Sequence, residues 1–341
     1  MSGPRRIGLI VPSSNTTIET ELPAMLRAAD LGVDVTFHSS RATLHSVDAQ
    51  SLARMVADGD RNVTELSDAR VDVFVYACLV ALMARGARAH EEAEAHLASV
   101  ARSAGCDAPV VSSAGALIRT LQERGVRRVA IITPYTPGLT RKVADYIEEY
   151  DIEVVDSASL AVPDNVQVGR LDPEDLPGHA RGLDLSRADM LIASCCVQMP
   201  SLAVLERIEQ EVGLPVMSAA TATTAELLDA LDLPREVPGA GSLLRAGFAH
   251  RGPPSVGSWA AGDSASAARS RLPAPRTTRC RPIASRSTSL LPLPPDFNGR
   301  PSTLSIRRRT ATHGISHQHH ASRMHPRATN RSSACPGAPT G

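Results

Sequence analysis

The sequence predicts an α/β protein made of two pseudo-symmetric parallel-sheet domains, residues 1–122 and 123–245, with a disordered C-terminal tail over 246–341. Three observations carry this. Between residues 5 and 245, short β-branched runs alternate with longer amphipathic segments, the pattern of strands and the helices that cover them. The order of the runs repeats. "RRIGLIVPSSN" from Arg5 returns as "RRVAIITPYTP" from Arg127, and "VDVFVYAC" from Val71 returns as "ADMLIASC" from Ala188. Finally, the composition changes near Ala246.

Taken in order, the first half offers strands at "RRIGLIVP", "VDVTFHS", "VDVFVYAC" and "APVVS". The second half offers "RRVAIITP", "IEVVDSA", "ADMLIASC" and "LPVMS". Continuous apolar strands alternating with helices imply a parallel sheet buried on both faces. One helix is expected over Ser113–Glu123, with serine at its start and Gly125 just past its end. Another is expected over Ser201–Val212, where Leu205, Ile208 and Val212 fall on one face. The chain is 43% apolar but only 3% aromatic, so its core must be built from Ala, Val, Leu and Ile. Ligands of such sheets bind beyond the carboxyl ends of the strands. Two facing halves would put those ends around one cleft.

The charges cancel overall, 36 basic against 36 acidic residues, but they are unevenly placed. From residue 246 onward there are 14 Arg and 2 acids, a net of +12, which leaves −12 for the first 245 residues. The tail lacks Glu and Lys and has no sustained apolar period, so it cannot bury enough surface to fold. Arg outnumbers Lys 35 to 1 in the chain, as in GC-rich coding sequence. An unstructured appendage or the product of a frameshift is therefore expected there. No nucleic-acid partner is expected.

Other classes are excluded by missing signals. No apolar stretch approaches the roughly 20 residues of a membrane helix, and "MSGPRRIGLIVPSSN" does not read as a signal peptide. The six cysteines are scattered, which suits free thiols in a reducing cytoplasm. No glycine-rich nucleotide loop and no G-x-S-x-G elbow occurs.

The chemistry-bearing candidates are cysteines and polar loops. Cys78 is expected at the carboxyl end of a buried strand, and Cys195 and Cys196 hold the matching place in the second half. A strand cysteine can be a small buried hydrophobe. A matched pair at strand ends, each followed by a loop, points instead to catalytic thiols activated by helix N-termini and backbone N–H groups. No C-x-x-C or neighbouring histidine makes a metal site of them. "PSSNTT" from Pro12, "TPYTPG" from Thr133 and "SSAGA" from Ser112 supply hydroxyls and amides at helix starts, where anions also bind. Asn15, Tyr135 and Asn165 add side-chain donors. His38, His45, His90 and His179 show no motif and are expected in surface or cap roles.

At these residues the chain resembles the maleate cis–trans isomerase family of the aspartate/glutamate racemase superfamily. The resemblance is carried by "RRIGLIVPSSNTTIETELPA", "VYACLVALM", "VVSSAGAL", "VAIITPY", "VPDNVQVG", "LIASCCVQMPSL", "LPVMSAATA" and "DLPREVPGAGSLLR". It implies an Asp/Glu racemase-like fold, with Cys78 as nucleophile and the second-half cysteine as its acid/base partner. Aligning the halves from Asp72 and Asp189 matches Cys78 with Cys195, whereas the family motif, with a proline four residues on, selects Cys196. It further implies substrate contacts from Asn15, Val80, Tyr135 and Asn165, a small dicarboxylate substrate (maleate), no metal or organic cofactor, and a homodimer or higher homo-oligomer. A two-thiol amino-acid racemase, an arylmalonate decarboxylase and a non-enzymatic acid-binding protein are the alternatives.

Overall fold

The computed structural model describes residues 3–245, so the tail expected to be disordered from residue 246 lies outside the described residues. All eight expected runs form strands. They are β1 (Arg5–Pro12), β2 (Val35–Ala42), β3 (Val73–Tyr76), β4 (Val110–Ser112), β5 (Arg128–Thr133), β6 (Glu153–Ser159), β7 (Met190–Ser194) and β8 (Val216–Ser218). They make two four-stranded sheets of the same order, β2-β1-β3-β4 and β6-β5-β7-β8. Every pairing is parallel. The central strands β3 and β7 are buried along their whole length, as unbroken apolar runs require. The edge strands β2 and β6 are half-buried, which is why they carry polar residues such as His38 and Asp156.

The repeated sequence has a repeated structural job. The Asp72 carboxylate accepts from the N–H of Arg6 at 2.6 Å, and Asp189 accepts from the N–H of Arg128 at 2.9 Å. Each acid sits just before the third strand of its sheet and ties it to the start of the first. The fourth strands also end alike. Ser112 Oγ accepts from Gly115 N–H at 2.9 Å and caps the helix Ser113–Glu123. Ser218 Oγ accepts from Thr221 N–H at 3.2 Å, and Thr221 returns a bond, making a capping box for the helix Ala219–Ala230. That last helix crosses back to pack on Ser113–Glu123 and on Ile18–Ala28.

Two expectations are corrected. The expected helix over Ser201–Val212 is a 3₁₀ turn, Leu202–Val204, followed by an α-helix, Leu205–Val212. The first-turn N–H groups of Ser201 and Leu202 donate instead to the Glu21 carboxylate, at 2.7 and 2.8 Å. His90 is buried rather than on the surface. Its Nδ1 lies 2.6 Å from the Tyr146 hydroxyl, joining the helices Ala89–Ser103 and Pro137–Glu148. Among the described residues, no helix is long and apolar enough to cross a membrane.

Candidate active site

In each sheet the chain adds its second strand on one side of the first and its third strand on the other. Loops leaving the first and third strands therefore flank a crevice at their carboxyl ends. Four such loops meet around one cavity: Pro12–Thr17 after β1, the segment from Ala77 after β3, Pro134–Thr136 after β5 and the segment from Cys195 after β7. Asn15, Cys78, Val80, Tyr135, Asn165 and Cys196 all line it. The cavity has room for about one water, about 10 Å³. The "SSAGA" loop is not among its lining residues; its Ser112 is a helix cap.

The register decides which second-half cysteine is equivalent to Cys78. The Ala77 N–H donates to Ile10 O at 2.8 Å, and the Cys195 N–H donates to Ile132 O at 2.9 Å. Ile10 and Ile132 are matching residues of β1 and β5, so Ala77 matches Cys195 and Cys78 matches Cys196. This overturns the alignment drawn from Asp72 and Asp189. The reason is a bulge. The β7–β8 pairing jumps from Ile192↔Met217 to Ser194↔Ser218, which leaves Ala193 as an extra residue in β7. Cys195 is fully buried and is not part of the cavity lining.

The two sulfurs have different surroundings. Cys78 is the N-cap residue of a short helix, Leu79–Met83. Burial pushes its thiol up to about 12; the Ala81 N–H opposes this weakly, and the nearby Cys196 adds to it. Burial also raises Cys196, opposed by the nearby Tyr135 hydroxyl and the N–H groups of Gln198 and Met199; the Met199 N–H itself donates to Cys196 O at 3.3 Å. The Gln198 N–H lies 3.4 Å from Cys196 Sγ. Burial thus works against the activation expected from helix N-termini, because a thiolate loses its hydration there.

The amides complete the lining. Asn15 is 1% exposed. Its Oδ1 accepts from Ile18 N–H at 3.2 Å, while its Nδ2 has no hydrogen-bond partner. Asn165 opens a short helix, and its Nδ2 donates to Ser14 Oγ at 2.8 Å. The Tyr135 hydroxyl donates to Cys195 O at 3.3 Å. Among the described residues, no three or more His, Cys, Asp or Glu are grouped as metal ligands.

The family model described as arylmalonate decarboxylase matches residues 7–244. The maleate isomerase of Geobacillus stearothermophilus is 50% identical over 242 residues, which covers 70% of this chain and 96% of that protein. The chain belongs to the maleate isomerase family. Members of this family with solved structures superpose on it. One is a cysteine-to-alanine variant of the maleate isomerase of Pseudomonas putida S16, solved with maleate. It has a TM-score of 0.69 at 46% identity, covering 70% of this chain and 97% of that one. Another is a cysteine-to-serine variant of the Nocardia farcinica maleate cis-trans isomerase with a covalently bound succinylcysteine intermediate. Its TM-score is 0.70 at 47% identity, covering 71% of this chain and 99% of that one.

The lining residues not foreseen from the sequence include Leu44, Val47 and Gln198. Leu44 and Val47 lie in the loop after β2, where nothing in the sequence distinguishes them. An antiparallel bridge, Ser46↔Asp164, holds this loop against the Asn165 segment. Gln198 did carry a signal, as a polar residue within the apolar stretch "CCVQMP".

Proposed function

We propose that this chain converts maleate to fumarate through reversible addition of Cys78 to the double bond, with Cys196 as proton carrier. What supports the reading is one combination: two thiols from the two sequence halves line a single small cavity with an amide nitrogen that has no partner. A carbon–carbon double bond rotates only after its π character is removed, and a sulfur nucleophile can do that.

The reactive form is the thiol pair with one proton removed. The Gln198 N–H, 3.4 Å from its sulfur, and the neighbouring Tyr135 hydroxyl favour the charge on Cys196. As the Cys78 sulfur bonds to one alkene carbon, Cys196 takes the Cys78 proton. The π electrons move onto the adjacent carbon and its carboxylate, where the Asn15 Nδ2 can donate to the developing charge. Cys196 then gives its proton to that carbon, leaving a succinyl thioether. Its central C–C bond is single and rotates, separating the two carboxylates. Cys196 removes the proton again, the C–S bond breaks, and Cys78 recovers its proton as fumarate leaves. The cycle restores the pair to its starting state, Cys78 as thiol and Cys196 as thiolate, and changes no oxidation state, so it needs no metal or organic cofactor. Tyr135 orients the Cys196 sulfur, Asn165 braces the Asn15 loop through Ser14, and Val80 forms an apolar wall.

The test is incubation of the purified chain with maleate, followed by proton NMR. Appearance of the fumarate signal is expected. Racemisation of aspartate or glutamate without fumarate formation would overturn the reading.

A further inference from the structure

Gln198 lies two residues past Cys196 and is 2% exposed. Its side chain makes every hydrogen bond that a primary amide can make. Oε1 accepts from the N–H groups of Thr16 and Thr17, at 3.0 and 3.3 Å. Nε2 donates to the carbonyls of Ser14 and Asn165, at 3.0 and 2.9 Å. Its orientation is fixed, because a flipped amide would set donors against donors and acceptors against acceptors. One side chain from the loop after β7 thus grips both flanks of Asn15 and the backbone of Asn165.

Gly169 gives a second, independent observation. A Cβ built there would fall 2.5 Å from Gln198 Nε2 and 3.0 Å from its Cδ. The φ of Gly169 is −70°, an ordinary helical value, so its backbone does not call for glycine. The missing side chain makes room for the Gln198 amide.

We infer that Gln198 is the positioning residue that sets Asn15 and Asn165 at the correct distance from the cysteine pair, and that Gly169 serves it by leaving space. The inference rests on the isomerase reading. It is chemically specific: the amide must both donate and accept, so Gln198→Glu, which keeps the acceptors and loses both donors, should fail as Gln198→Leu does.

The experiment is a double-mutant cycle on maleate kinetics with Gln198→Ala, Gly169→Ala and both together. Each single variant is expected to raise KM about tenfold or more, because small displacements of binding groups are costly. Gly169→Ala should add little once Gln198 is alanine, since the atoms it displaces are gone. A merely structural role would lower stability but leave the KM of the folded fraction unchanged. A KM within twofold of the parent in Gln198→Ala, or equal Gly169→Ala effects in both backgrounds, would overturn the inference. Gly169→Ala adds a single methyl in a loop, so it still reports if Gln198→Ala does not fold: an unchanged KM there also overturns it. A parent protein without isomerase activity would instead sink the functional reading.

Discussion

Raising the pH from 7.0 to 8.5 is expected to raise kcat/KM for maleate about 30-fold. The reasoning starts from burial. Cys78 is held up at about 12, and Cys196 also lies above its ordinary value. The two thiols are close enough to titrate as a pair. The reactive form has lost one proton, and its fraction climbs tenfold per pH unit until the first pKa of the pair is passed. The assay is initial-rate formation of fumarate at subsaturating maleate, with circular dichroism to check that the fold persists. A flat profile, or a plateau below pH 8, would refute the argument, because the thiolate would then already be formed at neutral pH despite burial. The same shift has a stability consequence. An unfolded cysteine releases its proton near pH 8.5, whereas native Cys78 keeps it to about 12. Between those values the unfolded state binds fewer protons, so stability is intact below pH 8.5 and falls above it. The loss from this one thiol is about 1.4 kcal/mol per pH unit. Urea unfolding at pH 8 and 9.5 should show that fall, and should show less of it in Cys78→Ala.

Three further outcomes are expected. Cys78→Ala should lower kcat about 10³-fold or more while the chain stays folded; full activity would remove Cys78 from the chemistry. Tyr135→Phe should lower kcat about 10- to 100-fold by taking a polar hydroxyl from beside Cys196, and should move the alkaline limb of the pH profile to higher pH. Glu21→Ala leaves the buried N–H of Ser201 and the partly buried N–H of Leu202 without their acceptor. It should cost about 2–4 kcal/mol in chemical denaturation.

The strands were legible because parallel sheets buried on both faces need continuous apolar runs, and "VFVY" and "MLIAS" can be little else. The pairing of cysteines was not legible. The repeated motifs lie 122 and 117 residues apart, so the two halves do not superpose without a gap. Nothing in "MLIASC" marks Ala193 as the extra residue, since a bulge made of alanine looks like any other strand residue. Its effect is decisive, because a one-residue shift turns a side chain to the other face of the sheet. Thiol ionisation was illegible for another reason. It depends on the balance between a helix terminus and desolvation, which is set by how the cavity packs around the sulfur.

The duplicated fold explains why there are two thiols, but it does not make them equal. What differs is the sequence just after each one. Cys78 is followed by "LVALM", which continues as helix and offers the sulfur one backbone donor, from Ala81. Cys196 is followed by "VQMPS". Proline at position 200 cannot supply a helical N–H, and the loop instead turns the Gln198 N–H toward the sulfur, at 3.4 Å, with the Met199 N–H and the Tyr135 hydroxyl close by. Charge on the pair is therefore better accommodated at Cys196, which leaves Cys78 as the sulfur that gains most by bonding to carbon. In the proposed mechanism, the division of labour between nucleophile and proton carrier would follow from a few residues on one side of an otherwise repeated design.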